Sequence, residues 1–355
     1  MKLPTDLGDQ KRDAGFSPLP EYPKNLLEFQ RMFPDETACL RYLQRVRWPG
    51  GFVCESCGTV GEPFRLATRP RVVKCRACER ETSVTAGTML HGSKTSPHVW
   101  FWAAYLVATQ TSGISALELQ KQLGLVRYET AFQLMHKLRA AMVHPFRDPI
   151  GLDWPVEMDV TFVGGKHKGG GSGTTHKLPV VIAVESRRRT LRDPETGKVV
   201  ERALAGRLRL QQLPNKSASV IEAFATQCLA PGAVILTDDG GEFEGLVARG
   251  YRHQPLAMRR SRTRMDAWLP MVSTVTANLK SWLAGTFHGV SPQHLQSYLD
   301  EFTFRFNRRF HRAVSFRTLL GLGSIHVGPT YRSLYDGDQL HRNTSSSDPS
   351  CGQTG

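Results

Sequence analysis

The segment VEMDVTFV at residues 156–163 decides the fold of this chain. Apolar and polar side chains alternate along it, which is the pattern of a strand with one face against a core. The period of two places Glu157, Asp159 and Thr161 on the same face of that strand. The segment therefore predicts a strand that carries two acids on one side.

The segments that follow predict the rest of an α/β domain. Residues 178–184 form a continuous apolar run, which indicates a strand buried on both faces. Residues 207–210 continue a third strand, a helix follows over residues 217–229, and the apolar segment AVILT at 233–237 runs directly into Asp238. Three meandering strands, a helix and a further strand ending in an acid are the element order of a ribonuclease-H-like fold.

Asp159 and Asp238 are candidate metal ligands at neighbouring strand ends. Two-metal sites hold two Mg²⁺ ions about 4 Å apart between carboxylates, since Mg²⁺ prefers hard oxygen ligands. Strand-ending carboxylates are also common as turn formers and helix caps, so spacing alone leaves both interpretations open. Asp239, Glu242 and Glu244 lie close by in the sequence. Asp238 is preferred because it directly follows the strand.

Four cysteines predict a structural zinc site. They form two C-x-x-C pairs, Cys54 with Cys57 and Cys75 with Cys78, separated by 17 residues. Two such knuckles can complete a tetrahedral cage of thiolates, which suits zinc. A disulfide or a redox motif is the alternative, but a cytosolic chain disfavours disulfides and no thioredoxin-like pattern surrounds either pair.

Helices are predicted between this ribbon and the first strand. Ser115 caps a helix that ends at Gly124, and a second helix over residues 128–142 follows a short turn. A unit of this size is typical of a helix-turn-helix, whose second helix enters the major groove of DNA. The same pattern also occurs in helical proteins that bind nothing. The candidate DNA-contacting residues are His136, Lys137 and Arg139.

The charge of the chain favours a nucleic-acid partner. Its 355 residues carry a formal net charge of +14, with 46 Lys and Arg against 32 Asp and Glu. Such a basic balance favours an acidic polymer, although basic ribosome-associated or membrane-surface proteins share it. No apolar run approaches the roughly 20 residues of a membrane helix, and the polar N-terminus is unlike a secretory signal. We expect a cytoplasmic protein without a membrane partner.

Several basic segments near the predicted strands favour contact with the DNA backbone. Glycine loops with lysines can follow phosphates without reading bases. Each segment is equally consistent with solvated surface, but together they favour DNA and a salt-dependent affinity. The candidate residues are Lys166, Lys168, Arg259, Arg260, Arg262, Arg264, Arg308 and Arg309.

The chain resembles a known family over residues 33–331. The resemblance is carried by VEMDVTFVGG at 156–165, AGRLRL at 205–210, TD at 237–238, GYRH at 250–253, NLKSWL at 278–283, GTFHGVSP at 285–292 and YLDEFTFRFNRR at 298–309. These segments are similar to those of bacterial insertion-sequence transposases, in the group with an N-terminal zinc ribbon and a DDE-type catalytic domain.

The resemblance implies an activity and a set of partners. It implies binding of double-stranded DNA at terminal inverted repeats and at the target, Mg²⁺-dependent cleavage of the element's ends, and strand transfer. It also implies a homo-oligomer on paired ends, in the bacterial cytoplasm at the nucleoid. Asp159 and Asp238 take the first and second metal-ligand positions. Lys280 would point toward the site and hold a phosphate or the scissile strand, although a surface lysine is its alternative.

The chain departs from the family pattern at three places. Val160 stands where relatives usually have an acid, and Asp238 is followed by Asp-Gly-Gly instead of Gly-Trp. Ser273 stands at the third site position, where relatives have His or Glu. A serine hydroxyl is a poor Mg²⁺ ligand, so one metal site should be weakened. Two hypotheses follow: an active transposase with a substitute ligand, and a non-catalytic DNA-binding relative or degenerate copy. A third, a zinc-ribbon transcription factor, leaves the strand-ending acids unexplained.

The predicted fold class is a multidomain α+β chain. It combines an N-terminal zinc ribbon, a helix-turn-helix-like segment and a ribonuclease-H-like α/β domain of the integrase type. The predicted regions are a flexible leader at 1–24, a short helix plus zinc ribbon at 25–92, a helical DNA-binding domain at 93–148, the transposase domain at 149–335 and a disordered tail at 336–355.

Overall fold

The computed structural model describes residues 20–144, 147–164, 177–192, 197, 199–256, 268–330 and 333–334. These residues form two compact units. The first combines the residues up to Gln110 with Ala116–Ala141 and His311–Gly328, and the second combines Thr111–Ser115 with Met142–Phe310 and the residues after Gly328. The predicted domain boundaries stay predictions, and the units differ from them by joining residues 311–328 to the N-terminal part of the chain. The predicted tail and most of the predicted leader lie outside the described residues.

The first unit begins with helices and the short strands of the ribbon. Strands β1 (Phe52–Val53) and β2 (Val60–Gly61) pair with each other, and β3 (Phe64–Arg65), β4 (Val72–Lys74) and β5 (Glu81–Ser83) form a second antiparallel sheet. The helices are α1 (Leu26–Met32), α2 (Glu36–Arg47), α3 (Pro97–Thr109), α4 (Ala116–Gln122) and α5 (Tyr128–Ala141).

The second unit contains a five-stranded mixed sheet. Its elements are β6 (Val156–Val163), β7 (Leu178–Arg192), β8 (Val199–Gln212), α6 (Ala218–Cys228), β9 (Val234–Asp238), β10 (Arg252–Leu256), α7 (Pro270–Phe287) and α8 (Leu295–Asn307). The strand order is β10-β9-β6-β7-β8. Strands β6, β7 and β8 form an antiparallel meander, whereas β9 pairs in parallel with β6 and β10 pairs in parallel with β9. This order confirms the predicted mixed α/β fold, and β10 adds a strand that the apolar pattern did not predict.

Apolar side chains cover both faces of this sheet. On one face, Met158 and Ile235 pack with Phe224 of α6. On the other face, Val180, Ile182 and Val184 of β7 pack with Leu279 of α7 and with residues of α8. Because residues of β7 contribute alternately to both clusters, the continuous apolar run in this strand is explained by burial on both sides.

Helix α9 (Arg312–Ser324) belongs to the first unit. Its Phe316 ring lies 5.7 Å from those of Phe29 and Phe33 and 6.1 Å from that of Phe101, in an aromatic core. The helix also packs against α5. In the part of the chain that the structure describes, no helix has the length and apolarity needed to cross a membrane.

An ion-pair network around the buried Glu185 joins the neighbouring strands β7 and β8. Glu185 of β7 is 1% exposed, and its carboxylate accepts hydrogen bonds from Arg207 Nη2 and Arg187 Nη2, each over 2.9 Å. Burial alone would raise the pKa of Glu185, but the hydrogen bonds from Arg207 and then Arg187 outweigh it and lower this pKa from 4.5 to about 2. The ionised carboxylate therefore stabilises the folded sheet.

This network predicts an acid-sensitive contribution to stability. The folded-state pKa is depressed, so the contribution is present above pH 4.5 and is lost as the pH falls toward 2. Its size is about 3 kcal/mol, from the size of the pKa shift. Urea unfolding of the wild type should therefore show a steeper loss of stability over this range than unfolding of Glu185→Gln. Equal slopes for the two proteins would mean that another group titrates.

Candidate functional site

Four cysteine thiols converge in the ribbon of the first unit. Cys54 Sγ lies 3.6 Å from Cys78 Sγ, and Cys57 Sγ lies 3.7 Å from Cys75 Sγ. Among the described residues, this is the one group of metal-ligating side chains whose ligand atoms all lie within 4.8 Å of one another. Sulfurs placed tetrahedrally at about 2.3 Å from zinc are about 3.8 Å apart. The cage therefore has the dimensions of a structural zinc site and supports the predicted zinc.

Each C-x-x-C pair forms its own knuckle, and the two knuckles have the same backbone hydrogen bond. Gly58 N donates to Cys54 O over 2.9 Å, and Glu79 N donates to Cys75 O over 3.1 Å. Both donors have left-handed backbone, with φ of 70° at Gly58 and 62° at Glu79. Glycine adopts this conformation at little cost. Glu79 adopts it while its carboxylate pairs with Lys74 at 2.9 Å.

The ribbon predicts one zinc ion per chain. Cys75→Ser should lose this zinc, because three thiolates no longer close the cage. Elemental analysis of the dialysed full-length protein measures the metal content. Cys228→Ser is the control, since Cys228 lies outside the ribbon and its exchange should leave the zinc in place. A Cys75→Ser protein with full zinc content would contradict the assignment.

Asp159 and Asp238 lie side by side in the second unit. In the parallel pairing of β6 with β9, Glu157 is the partner of Leu236. Asp159 and Asp238 each lie two residues beyond this last pair, and the charge of Asp238 acts on Asp159, so the two acids are close together. Residues two apart on a strand share a face of the sheet. Asp159 therefore lies on the same face as Glu157, and Asp238 on the same face as Leu236. The strand register thus brings together the two acids that the sequence singled out.

Burial and neighbouring acids raise the pKa of both aspartates. Burial raises the pKa of Asp159, and the charges of Asp238 and Glu242 raise it further, against the Val160 N–H, which donates to Asp159 Oδ1 over 2.7 Å. Burial also raises the pKa of Asp238, together with the charge of Glu242. Lys216 lowers the pKa of both aspartates. The site is therefore a cluster of like charges with a single nearby ammonium among these interactions.

One carboxylate oxygen of Asp238 is suited to bind a metal ion. Asp238 Oδ1 is shielded from solvent and accepts no hydrogen bond from any residue that the structure describes. Leaving a buried acceptor without a donor costs about 1 to 3 kcal/mol, and more for an anion. A divalent cation removes this cost, because hard carboxylate oxygens are its preferred ligands. Asp159 and Asp238 therefore fit the metal-binding role that the sequence suggests.

A third acid of the same strand face has a structural role. Glu157 is 1% exposed, and its Oε2 accepts hydrogen bonds from Met271 N over 2.8 Å and Val272 N over 3.0 Å. These N–H groups belong to the first turn of α7, where helical partners are lacking. Glu157 thus attaches the start of α7 to β6, two residues before Asp159.

Ser273 and Lys280 lie on α7. Ser273 follows the anchored Val272 and is half-buried in the first turn of the helix, and Lys280 lies two turns later and is exposed. Their spacing of seven residues places them on one face of the helix. Because Glu157 attaches this turn to β6, Ser273 lies near the strand that carries Asp159. The Ser273 side chain ends in a neutral hydroxyl, which is a poor ligand for Mg²⁺.

Two further residues lie at the site: Glu242, which the sequence presented only as a neighbour of the preferred Asp238, and Lys216, which no sequence pattern singled out. Glu242 lies in the 3-10 turn Gly241–Leu246 that follows β9, and Lys216 lies just before α6. Lys216 Nζ is 2.6 Å from Glu242 Oε1. Burial would raise the pKa of Glu242, but Lys216 lowers it below its usual value. The two residues are 26 positions apart without a shared motif, so only the fold reveals the pair.

The predicted DNA-contacting residues of α5 are mostly enclosed. His136 and Arg139 are each 1% exposed, and the His136 ring lies 4.4 Å from that of Phe132. Lys137 is half-buried and donates to His91 O over 3.3 Å, and burial lowers its pKa. The structure therefore places neither His136 nor Arg139 where a side chain meets DNA, because other helices of this unit, α9 among them, cover α5.

The basic residues of the second unit divide into two sets. Arg308 and Arg309 are half-buried, with their guanidinium groups 4.1 Å from the ring centres of Phe304 and Phe306, so part of each side chain serves packing. The other candidates lie outside the described residues: Lys166, Lys168, Arg259, Arg260, Arg262 and Arg264.

The fold and the thiol cage together define a protein class: a zinc ribbon combined with a ribonuclease-H-like domain. Two family models match the chain. The ISXO2-like transposase domain covers residues 151–307, and the transposase zinc-ribbon domain covers residues 34–81. The chain belongs to the IS1595-family, ISXO2-like DDE transposases with an N-terminal zinc-ribbon domain. Membership implies transposition activity and DNA binding within a polynucleotidyl transferase family. No curated protein and no solved structure matches the chain.

Proposed function

We propose that this transposase binds the terminal inverted repeats of an insertion sequence, cuts the element's ends in a Mg²⁺-dependent reaction and transfers the strands into target DNA. We further propose that it acts as a homo-oligomer on paired ends. The observation that supports this most directly is the parallel pairing of β6 with β9 inside the matched transposase domain, since Asp159 and Asp238 each lie two residues beyond the paired Glu157 and Leu236.

The proposed chemistry assigns a separate task to each residue. Asp159 and Asp238 would hold two Mg²⁺ ions. When bound, Mg²⁺ supplies activation of the attacking water or 3′-hydroxyl and stabilises charge on the leaving oxygen. Lys280 would pair with a phosphate of the scissile strand, since it is exposed on the α7 face that carries Ser273. The packed sheet supports the two carboxylates on rigid elements, which positioning in phosphoryl transfer requires.

The net charge of +14 supports the proposed DNA partner. Phosphate contacts by lysines and arginines release counterions, so affinity should fall steeply with salt. We assign these contacts to the candidate basic segments, with the exception of the enclosed His136 and Arg139.

Ser273 favours a second candidate function, a non-catalytic DNA-binding relative. The first turn of α7 is intact and attached to β6 through Glu157, yet it presents a hydroxyl at the third position of the site. Loss of a charged ligand weakens both positioning and charge stabilisation, which commonly costs orders of magnitude in rate. In this candidate the fold and DNA binding persist without cleavage.

Cleavage of the element's own ends separates the two candidates. Full-length protein is incubated with a duplex that carries these ends, in Mg²⁺ or Mn²⁺, and nicks and joined strands are measured on a denaturing gel. We expect cleavage by the wild type and a loss of at least about 10³-fold in Asp238→Ala, because the metal loses its buried ligand. Asp239→Ala is the matched control at the adjacent exposed acid and should still cut.

The opposite result is equally specific. If the wild type binds the ends without cutting them, and Ser273→Glu or Ser273→His restores cleavage, the chain is a degenerate copy. Equal cleavage by the wild type and Asp238→Ala would remove Asp238 from the proposed site altogether.

A further inference from the structure

The ion pair between Lys216 and Glu242 lies beside the two aspartates. Lys216 Nζ contacts Glu242 Oε1 at 2.6 Å, and the Glu242 side chain is only 17% exposed. Lys216 also lies 5.8 Å from the ring centre of Phe162 on β6. The ammonium therefore reaches from the start of α6 across the end of the sheet to the turn after β9.

The second oxygen of Glu242 lies on the side of Asp238. A methyl group built on Gly240 would lie 2.8 Å from Glu242 Oε2 and 3.1 Å from Asp238 Oδ1. The distance between Glu242 Oε2 and Asp238 Oδ1 is therefore no larger than the sum of these two distances. Gly240 leaves open the space between them, which a side chain at this position would fill. Asp238 Oδ1 is also shielded from solvent and has no hydrogen-bond partner among the described residues.

The charge of Lys216 acts on the whole acid cluster. Lys216 pairs with one oxygen of Glu242 while the other oxygen lies beside the same Gly240 as Asp238 Oδ1, so one ammonium offsets the repulsion among these carboxylates. A divalent cation at this place would offset the same repulsion more strongly, because its charge is double and carboxylate oxygens are its ligands.

We propose that Glu242 is the third carboxylate of this site, in the role that Ser273 cannot fill, and that Lys216 holds it until a divalent cation replaces the ammonium. This inference rests on the proposed metal-dependent function. It differs from the family pattern, because it takes the third acid from the turn after β9 instead of from α7.

A local change of side-chain conformation is required. The ligand oxygens of Asp159, Asp238 and Glu242 do not all lie within 4.8 Å of one another in the described structure. A cation about 2.1 Å from each of two oxygens needs them about 3 to 4 Å apart. Release of Glu242 Oε1 from Lys216 frees the side chain to turn toward Asp238, with which it already shares the space beside Gly240.

Metal binding measures this role without relying on activity. Mn²⁺ is titrated into zinc-loaded, full-length protein, and free Mn²⁺ is followed by electron paramagnetic resonance. We expect Glu242→Gln to weaken Mn²⁺ binding at least about tenfold, since it removes a charged ligand. Glu244→Gln is the matched control, an exposed acid in the same turn, and should bind within about twofold of the wild type. Ser273→Ala should also bind like the wild type.

Lys216→Met gives a result of opposite sign. Loss of the competing ammonium should tighten Mn²⁺ binding several-fold, while thermal unfolding without Mn²⁺ should occur at a lower temperature because the acids repel one another. A purely structural role of the ion pair predicts instead that Glu242→Gln and Lys216→Met both lower the unfolding temperature and leave Mn²⁺ affinity unchanged.

Three outcomes overturn the inference. If the Glu242→Gln variant binds Mn²⁺ as tightly as the wild type, Glu242 is not a ligand of the metal site. The proposed function is then unaffected. If Ser273→Ala weakens Mn²⁺ binding as much as Glu242→Gln does, the third metal-binding position lies on α7. Absence of Mn²⁺ binding in the wild type overturns both this inference and the proposed metal-dependent function.

Discussion

The parallel pairing of β6 with β9 is the constraint on which the site depends. A shift of one residue in this pairing would turn Asp238 to the opposite face of the sheet from Asp159. The register is held by packing: Met158 and Ile235 are buried on one face, and Leu236 packs against the cluster on the other. Apolar burial therefore brings two carboxylates together against their mutual repulsion, and the folded core bears that cost.

The buried acids of this sheet differ in the partners that satisfy them. Glu157 accepts from the first turn of α7, and Glu185 accepts from two arginines, so both have complete structural roles. Asp238 keeps one shielded carboxylate oxygen that has no hydrogen-bond partner among the described residues. A shielded acceptor without a hydrogen-bond donor lowers stability, and such features are typical of functional sites. The contrast among these acids singles out Asp238 more clearly than the sequence spacing does.

Much of the fold was readable from the sequence, because it follows from periodicity. The bounds of the alternating segment 156–163 match β6 residue for residue, although β6 is buried on both faces and not on the single face that the alternation predicted. The apolar run at 178–184 covers only half of Leu178–Arg192. The rest of β7 is charged and is a strand because it pairs with β8, which apolarity does not signal. Long-range contacts were equally unpredictable: α9 packs against α5, and His136 of α5 is buried although the sequence predicted a DNA contact there. The Lys216 to Glu242 pair is a product of the fold in the same way.

The central claim is that Asp159 and Asp238 form a divalent-metal centre at the meeting of β6 and β9. Anomalous X-ray scattering from crystals of the full-length protein with Mn²⁺ tests it most directly. The account predicts an anomalous peak within about 2.0 to 2.4 Å of a carboxylate oxygen of each aspartate. A saturating Mn²⁺ concentration that gives no peak there, or a peak bound by other side chains alone, would contradict it.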